Sequence, residues 1–166
     1  MVKRHDREVR SAAELLEALG RQALHEVAGA VPEDAPNPEQ ASVAVTGGFI
    51  QPAARVSDSD PSARDLLDDL WHDEADRLGI LDANGEFLLL ATYPGSLTRG
   101  WIRVRDSIGG HLPSRIAAAS GSREFIAIAL DRTALCAVST EEYEDWIVTR
   151  SFEGPWPWPH LSHVST

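Results

Sequence analysis

Between Asp58 and Glu86 the chain carries ten carboxylates against two cations, Arg64 and Arg77, a local net charge of −8 out of −11 for all 166 residues. Asp65, Asp68, Asp69, His72, Asp73 and Asp76 fall on one side of a helix of ordinary period. Such a face can do one of three things. It can repel nucleic acid and anionic membrane and attract a cationic protein surface. It can hold a metal, because Asp68 with His72 and His72 with Asp76 have the (i, i+4) spacing at which helix side chains share an ion. A zinc or iron centre, however, wants further imidazole or thiolate ligands, and none stands at helical spacing nearby. Or it can serve solubility alone. Against that last reading, Asp65/Asp69 and Asp69/Asp73 repel at (i, i+4) by about 0.2–0.5 kcal/mol each. A stretch selected only for stability interleaves Lys or Arg. The retained repulsion is the reason to weigh a surface kept for a basic partner beside the solvated face.

Other groups have weaker claims on chemistry. Arg99, Trp101, Arg103 and Arg105 alternate along a strand, which would stand the indole of Trp101 between guanidiniums, a cation–π arrangement that also suits anions. The competing expectation is that Trp101 packs under a helix while the arginines pair with the acid-rich helix. His111 and Ser114 follow Gly109-Gly110 and would form a triad-like set if a carboxylate joined them. Cys136 lies in an apolar run and reads as a buried, inert thiol. Trp156 and Trp158 in the Pro-Trp-Pro-Trp-Pro tail form a stiff, extended segment that either clasps the body or docks on a partner or a second copy. Nucleophile-elbow, phosphate-loop, dinucleotide and zincin motifs are absent, so no cofactor is expected.

The elements that must carry these groups follow from capping and periodicity. Ser11-x-x-Glu14 has the form of a capping box and starts a helix expected to reach about residue 28. The proline-rich segment 31–40 reads as a surface linker, so that residues 1–40 would be a semi-detached arm. Residues 42–45 and 49–51 flank Gly47-Gly48 and suggest a hairpin. Asp60-Pro61 opens the acidic helix and Gly79 closes it. Asp82-Ala-Asn-Gly85 predicts a hairpin between 80–81 and 86–92. Residues 101–105 read as a strand, 113–119 as a short helix, and 125–130 with 134–138 as a second hairpin. Ser139-x-x-Glu142, another capping-box pattern, predicts a last helix through Trp146 to about Arg150. Val43, Leu88, Ile102, Ile126 and Trp146 are among the expected core residues.

Strands joined by tight turns, with helices before, between and after them, make this an α+β chain. The expected unit is a single domain, residues 41–153, with a largely antiparallel sheet of about five or six strands flanked by helices; 1–40 and 154–166 attach to it. The N-terminus lacks the apolar run of a signal peptide, no segment is long and apolar enough to span a membrane, and one cysteine precludes an internal disulfide; a cytoplasmic protein is expected.

Asp65–Gly79, with its Leu-Asp-Asp-Leu-Trp core, resembles the acidic recognition helix of barstar-type ribonuclease inhibitors over about fifteen residues. In that family, helix carboxylates plug a basic active site. Size, acidity and the lack of catalytic motifs are also similar to small bacterial toxin-immunity proteins. The resemblance implies an acidic, non-enzymatic inhibitor or immunity-type protein that binds a basic protein partner, with neither nucleic acid nor membrane as target. The alternatives are a small hydrolase or metal-dependent enzyme using His72 or His111, and a structural or homodimeric role for the tail.

Overall fold

The computed structural model describes residues 11–46 and 50–151. Five helices and seven strands follow in the order α1 (Ala12–Arg21), β1 (Leu24–Glu26), α2 (Pro38–Thr46), β2 (Ala54–Ser57), α3 (Ala63–Leu78), β3 (Glu86–Ala91), α4 (Ser96–Arg99), β4 (Ile102–Asp106), α5 (Leu112–Ser120), β5 (Phe125–Ile128), β6 (Ala134–Thr140) and β7 (Glu144–Ser151). The strands form one sheet in the order β1-β4-β3-β5-β6-β7-β2, and each neighbouring pair is antiparallel. The α+β class stands, with a sheet somewhat larger than the five or six strands expected. No helix among the described residues is long and apolar enough to cross a membrane.

Both faces of the sheet are covered. Phe87, Leu89, Ile102, Val104, Phe125 and Val138 meet α1, α3 and α5 on one side. Leu88, Leu90, Ile126, Ile128, Leu135 and Val148 meet α2 and the segment before it on the other. All six residues of β3 are buried in consequence, which is why its sequence is a continuous apolar run rather than an alternation. The alternation read in β4 holds: Ile102 and Val104 belong to the first core, Trp101 to the second.

Helix α3 ends as its sequence dictates, with Gly79 in the left-handed region at φ 64°. It starts two residues late: Asp60 Oδ1 accepts the Ser62 N–H at 2.8 Å, and the helix begins at Ala63. Leu67, Trp71 and Ala75, four residues apart, bury its inner edge.

Several expectations are corrected. The first helix stops at Arg21, and Ala23 turns the chain at φ 59° into edge strand β1. Leu15, Leu19 and Leu24 are fully buried in the same core as α3 and α5, so α1 and β1 pack on the body of the sheet. The hairpin expected around 42–45 is helix α2. Asn37 Oδ1 caps it by accepting the Glu39 N–H at 2.8 Å, and Pro38 occupies the first helical position. Ala41 and Val45 then share the buried face while Val43 points outward at 45% exposure, removing it from the core. The last helix is strand β7. Ser139 Oγ bonds Glu141 Oε1 instead of capping, and Glu141 N–H meets the Glu144 carbonyl to close a hairpin from β6. The β-branched run Ile147-Val148-Thr149 suits a strand laid between β6 and β2. Ile80-Leu81 is not a strand; the Asp82–Gly85 turn joins α3 to β3, with Asp82 Oδ1 accepting from Asn84 and Glu86 N–H.

Candidate functional site

The acid-rich helix divides into two sets of residues with different fates. Asp65, Asp69, Asp73 and Asp76 are exposed, and among the described residues none of them makes an ion pair or a side-chain hydrogen bond. Their neighbour Glu74 differs, bonding Arg77 at 2.6 Å. The opposite edge of α3 is held rigidly by Trp71, whose ring meets Phe125 with centroids 5.5 Å apart. The result is an uncompensated carboxylate ridge on a fixed support.

Asp68 and His72 leave that ridge and turn toward α5. Asp68 is buried, 2% exposed; its Oδ1 accepts the Ser114 N–H at 2.9 Å and its Oδ2 the Ser114 hydroxyl at 2.6 Å. His111 Nδ1 lies 3.2 Å from the same Oδ2. His72 Nε2 accepts the Leu112 N–H at 3.3 Å. Two N–H groups at the start of α5, which no intrahelical carbonyl can satisfy, are therefore capped from another helix, and a carboxylate sits where the α5 dipole favours negative charge. Arg64 Nε completes the junction by donating to Ser114 Oγ at 2.9 Å.

This geometry decides the chemistry read from spacing. A hydroxyl nucleophile needs an imidazole to take its proton. Here the carboxylate stands between the two, taking the Ser114 hydroxyl itself, and no hydrogen bond joins Ser114 to His111 among the described residues. Asp68, His72 and Asp76 do not converge, since His72 is spent on Leu112. The donors that do converge are Asp65, Asp68 and His111, with one atom of each within 4.8 Å of the others. Both Asp68 oxygens already serve α5, so an ion there would compete with the cap.

The second predicted group is also internal. Trp101 is 8% exposed and its Nε1–H donates to the Pro36 carbonyl at 2.6 Å, under the cover of α2. Arg103 bonds Glu86 Oε2 through Nε and Nη2 at 3.1 and 2.6 Å, and Arg105 bonds Glu86 Oε1. Arg99 Nη2 stands 4.0 Å from Glu26. The arginines thus pair with strand carboxylates, not with the acid-rich helix. The Arg103 and Arg105 hydrogen bonds, in that order, hold the Glu86 carboxyl below its ordinary range against the opposing effect of burial. A cation–π contact occurs elsewhere: the Arg55 guanidinium lies 4.8 Å from the centre of Trp146. Cys136 is buried, and that burial, with Glu74 adding to it, pushes its thiol far up. Trp156 and Trp158 lie outside the described residues.

Sequence reasoning missed the best-buried charge pair. Arg115 on α5 grips Asp106 at the end of β4 through Nη1–Oδ1 at 2.8 Å and Nη2–Oδ2 at 2.7 Å, with Nε on the Gly110 carbonyl and Nη1 also on that of Gln22. Nothing in the spacing of Asp106 and Arg115 marks them as partners. The pair fixes the loop that carries His111, whose own backbone adopts φ 53°. Protein-family models, curated proteins and solved structures were all compared with this chain, and none matches it.

Proposed function

We propose that this chain is a non-enzymatic binding protein, an inhibitor or immunity-type partner of a basic protein, and that its contact surface is the exposed edge of α3. One observation carries the reading: Asp65, Asp69, Asp73 and Asp76 are exposed and form no ion pair among the described residues, although other carboxylates of the chain are paired with arginine. Four like charges on one helix edge cost stability and confer an advantage only when a complementary surface arrives. The inner edge of α3 is locked into the core by Leu67, Trp71 and Ala75, so the ridge is preorganised and little ordering opposes association. Asp68 and His72 drop out of the contact set because they serve α5.

Association through such a ridge is fast and salt-sensitive. The test is capture on the immobilised full chain from a lysate of the source organism, at low and high salt, with Asp69→Lys/Asp73→Lys/Asp76→Lys as the matched control. The expected result is a basic protein retained by the wild type at low salt, released at high salt and not retained by the triple variant. Nothing retained at low salt, or equal retention by the triple variant, sinks the reading. The variant's thermal melt serves as the folding control and should stay near that of the wild type, because the new charge at position 69 then opposes that of Asp65 while 69/73 and 73/76 remain like-charged pairs.

A further inference from the structure

A cleft of about 410 Å³ opens between α3 and α5, bordered by Ser114, and its size falls within the range of ligand pockets. Its apolar walls are Ala63, Leu67, Pro113, Ala117 and Ala118, short side chains that leave room for a compact body. Arg64 and Arg123 supply its cationic groups and Asp145 its acidic one.

The state of those arginines points to the ligand. Most arginines of this acidic chain stand against a carboxylate, but Arg64 forms no ion pair among the described residues. Its Nε is held by Ser114 Oγ, whose own proton goes to Asp68, so the guanidinium is oriented through a hydroxyl without being neutralised. Its two Nη groups have no hydrogen-bond partner among the described residues. Arg123 spends only Nη1, on Asp145 at 2.8 Å and Asp58 at 3.3 Å. A planar fork of free N–H groups beside apolar walls is the complement of a carboxylate attached to an apolar body. Charge limits the ligand further. Asp145 and Asp58 outnumber Arg123 by one charge, so Arg64 is the cleft's one guanidinium without an ion pair and the smallest anionic charge is favoured; a dianionic phosphate would face the surplus carboxylates.

We propose that this cleft binds a monocarboxylate with a compact apolar body, its carboxylate on Arg64 and its body against Leu67, Pro113 and Ala117. The carboxylate can belong to a free small acid or to the C-terminus of a peptide ending in an apolar residue. The proposal is independent of the acidic ridge, because the charge-reversal variants of Asp69, Asp73 and Asp76 leave every residue of the cleft in place.

The experiment is a titration of the isotope-labelled full chain, following the amide signals of Ser114, Ala117 and Ala118. The probes are benzoate and 3-methylbutanoate, each with its uncharged amide, and a short peptide ending in leucine as free acid and as C-terminal amide. Saturable shifts with a carboxylate and none with the matching amide are expected. Arg64→Met should weaken binding by about tenfold or more, as loss of a charge-assisted hydrogen bond does. Ala118→Trp, at an exposed position on the cleft wall, should fill the space and block binding while the melting temperature stays near that of the wild type. Tighter binding of the peptide acid than of the free acids supports the proposal with a chain end as source; the reverse supports it with a small acid. Equal shifts from acid and amide, no saturation with any carboxylate, or an unweakened Arg64→Met overturns it.

Discussion

The carboxylate of Asp68 on α3 holds both the backbone N–H and the hydroxyl of Ser114 on α5, at 2.9 and 2.6 Å. This contact converts a residue of the acidic stretch into the cap of a neighbouring helix and ties α3 to α5, which share one apolar core on the same face of the sheet.

Asp68→Ala should therefore destabilise the fold, by about 1–2 kcal/mol, because it takes the shared acceptor from a part-buried N–H and hydroxyl. Asp68→Asn keeps one acceptor and should lose about half as much. Asp69→Ala, one residue along on the exposed edge, should stay within about 0.5 kcal/mol of the wild type. Urea unfolding of the three variants checks this; an Asp68→Ala midpoint equal to that of Asp69→Ala would show that the cap contributes nothing.

Two buried aspartates should give stability opposite dependences on pH. For Asp106, burial pushes the carboxyl up, but the hydrogen bonds from Arg115 and the Ile108 and Gly109 N–H groups outweigh it and hold the pKa below the ordinary 3.8. Its contribution is present above about pH 3.8 and is lost as pH falls through the lowered folded value. For Asp145, burial comes first and prevails over Thr140 and Arg123, so its pKa lies above 3.8. Its contribution is present below pH 3.8 and is lost as pH rises through the raised value. Asp106→Asn should be less stable than wild type by about 3 kcal/mol at neutral pH, since it uncouples a buried ion pair, and the deficit should shrink below pH 3.8. Asp145→Asn should gain on wild type as pH rises from 3.8 toward neutrality. Unfolding free energies measured across that range are the check, and pH curves of the variants parallel to the wild type contradict both assignments.

Gly85 and Gly79 both have positive φ, at 75° and 64°, but their surroundings differ. A Cβ at Gly85 would come 2.7 Å from the Asp106 carbonyl oxygen, which is backbone and cannot step aside. A Cβ at Gly79 meets nothing within 4 Å. Gly79→Ala should cost about 1 kcal/mol, the left-handed penalty alone. Gly85→Ala should cost roughly twice that or more, since it also pushes β3 away from β4. Equal losses in thermal or urea unfolding would mean that the turn relaxes freely.

Local chemistry carried much of this fold into the sequence. Gly79 and the apolar positions at 67, 71 and 75 determined α3; Asp131-Arg-Thr133 between two apolar runs determined the β5–β6 hairpin; the alternation of 101–105 determined which side chains of β4 face which core. What fails is the choice between periods in short segments. Residues 42–45 read as a strand until Asn37 and Pro38 start α2, and the stretch from Ser139 to about Arg150 reads as a capped helix until β6 and β2 offer β7 hydrogen bonds on both sides. The exposed carboxylates of α3 were legible as a group, because charge on one helix face needs only a period of 3.6 residues to be seen. That Asp68 and His72 belong to α5, that Glu86 gathers Arg103 and Arg105, and that Asp106 meets Arg115 were not legible. Those partners come together only when the sheet closes, and a buried polar group takes whichever partner the packing brings, since the alternative is to lose its water for nothing.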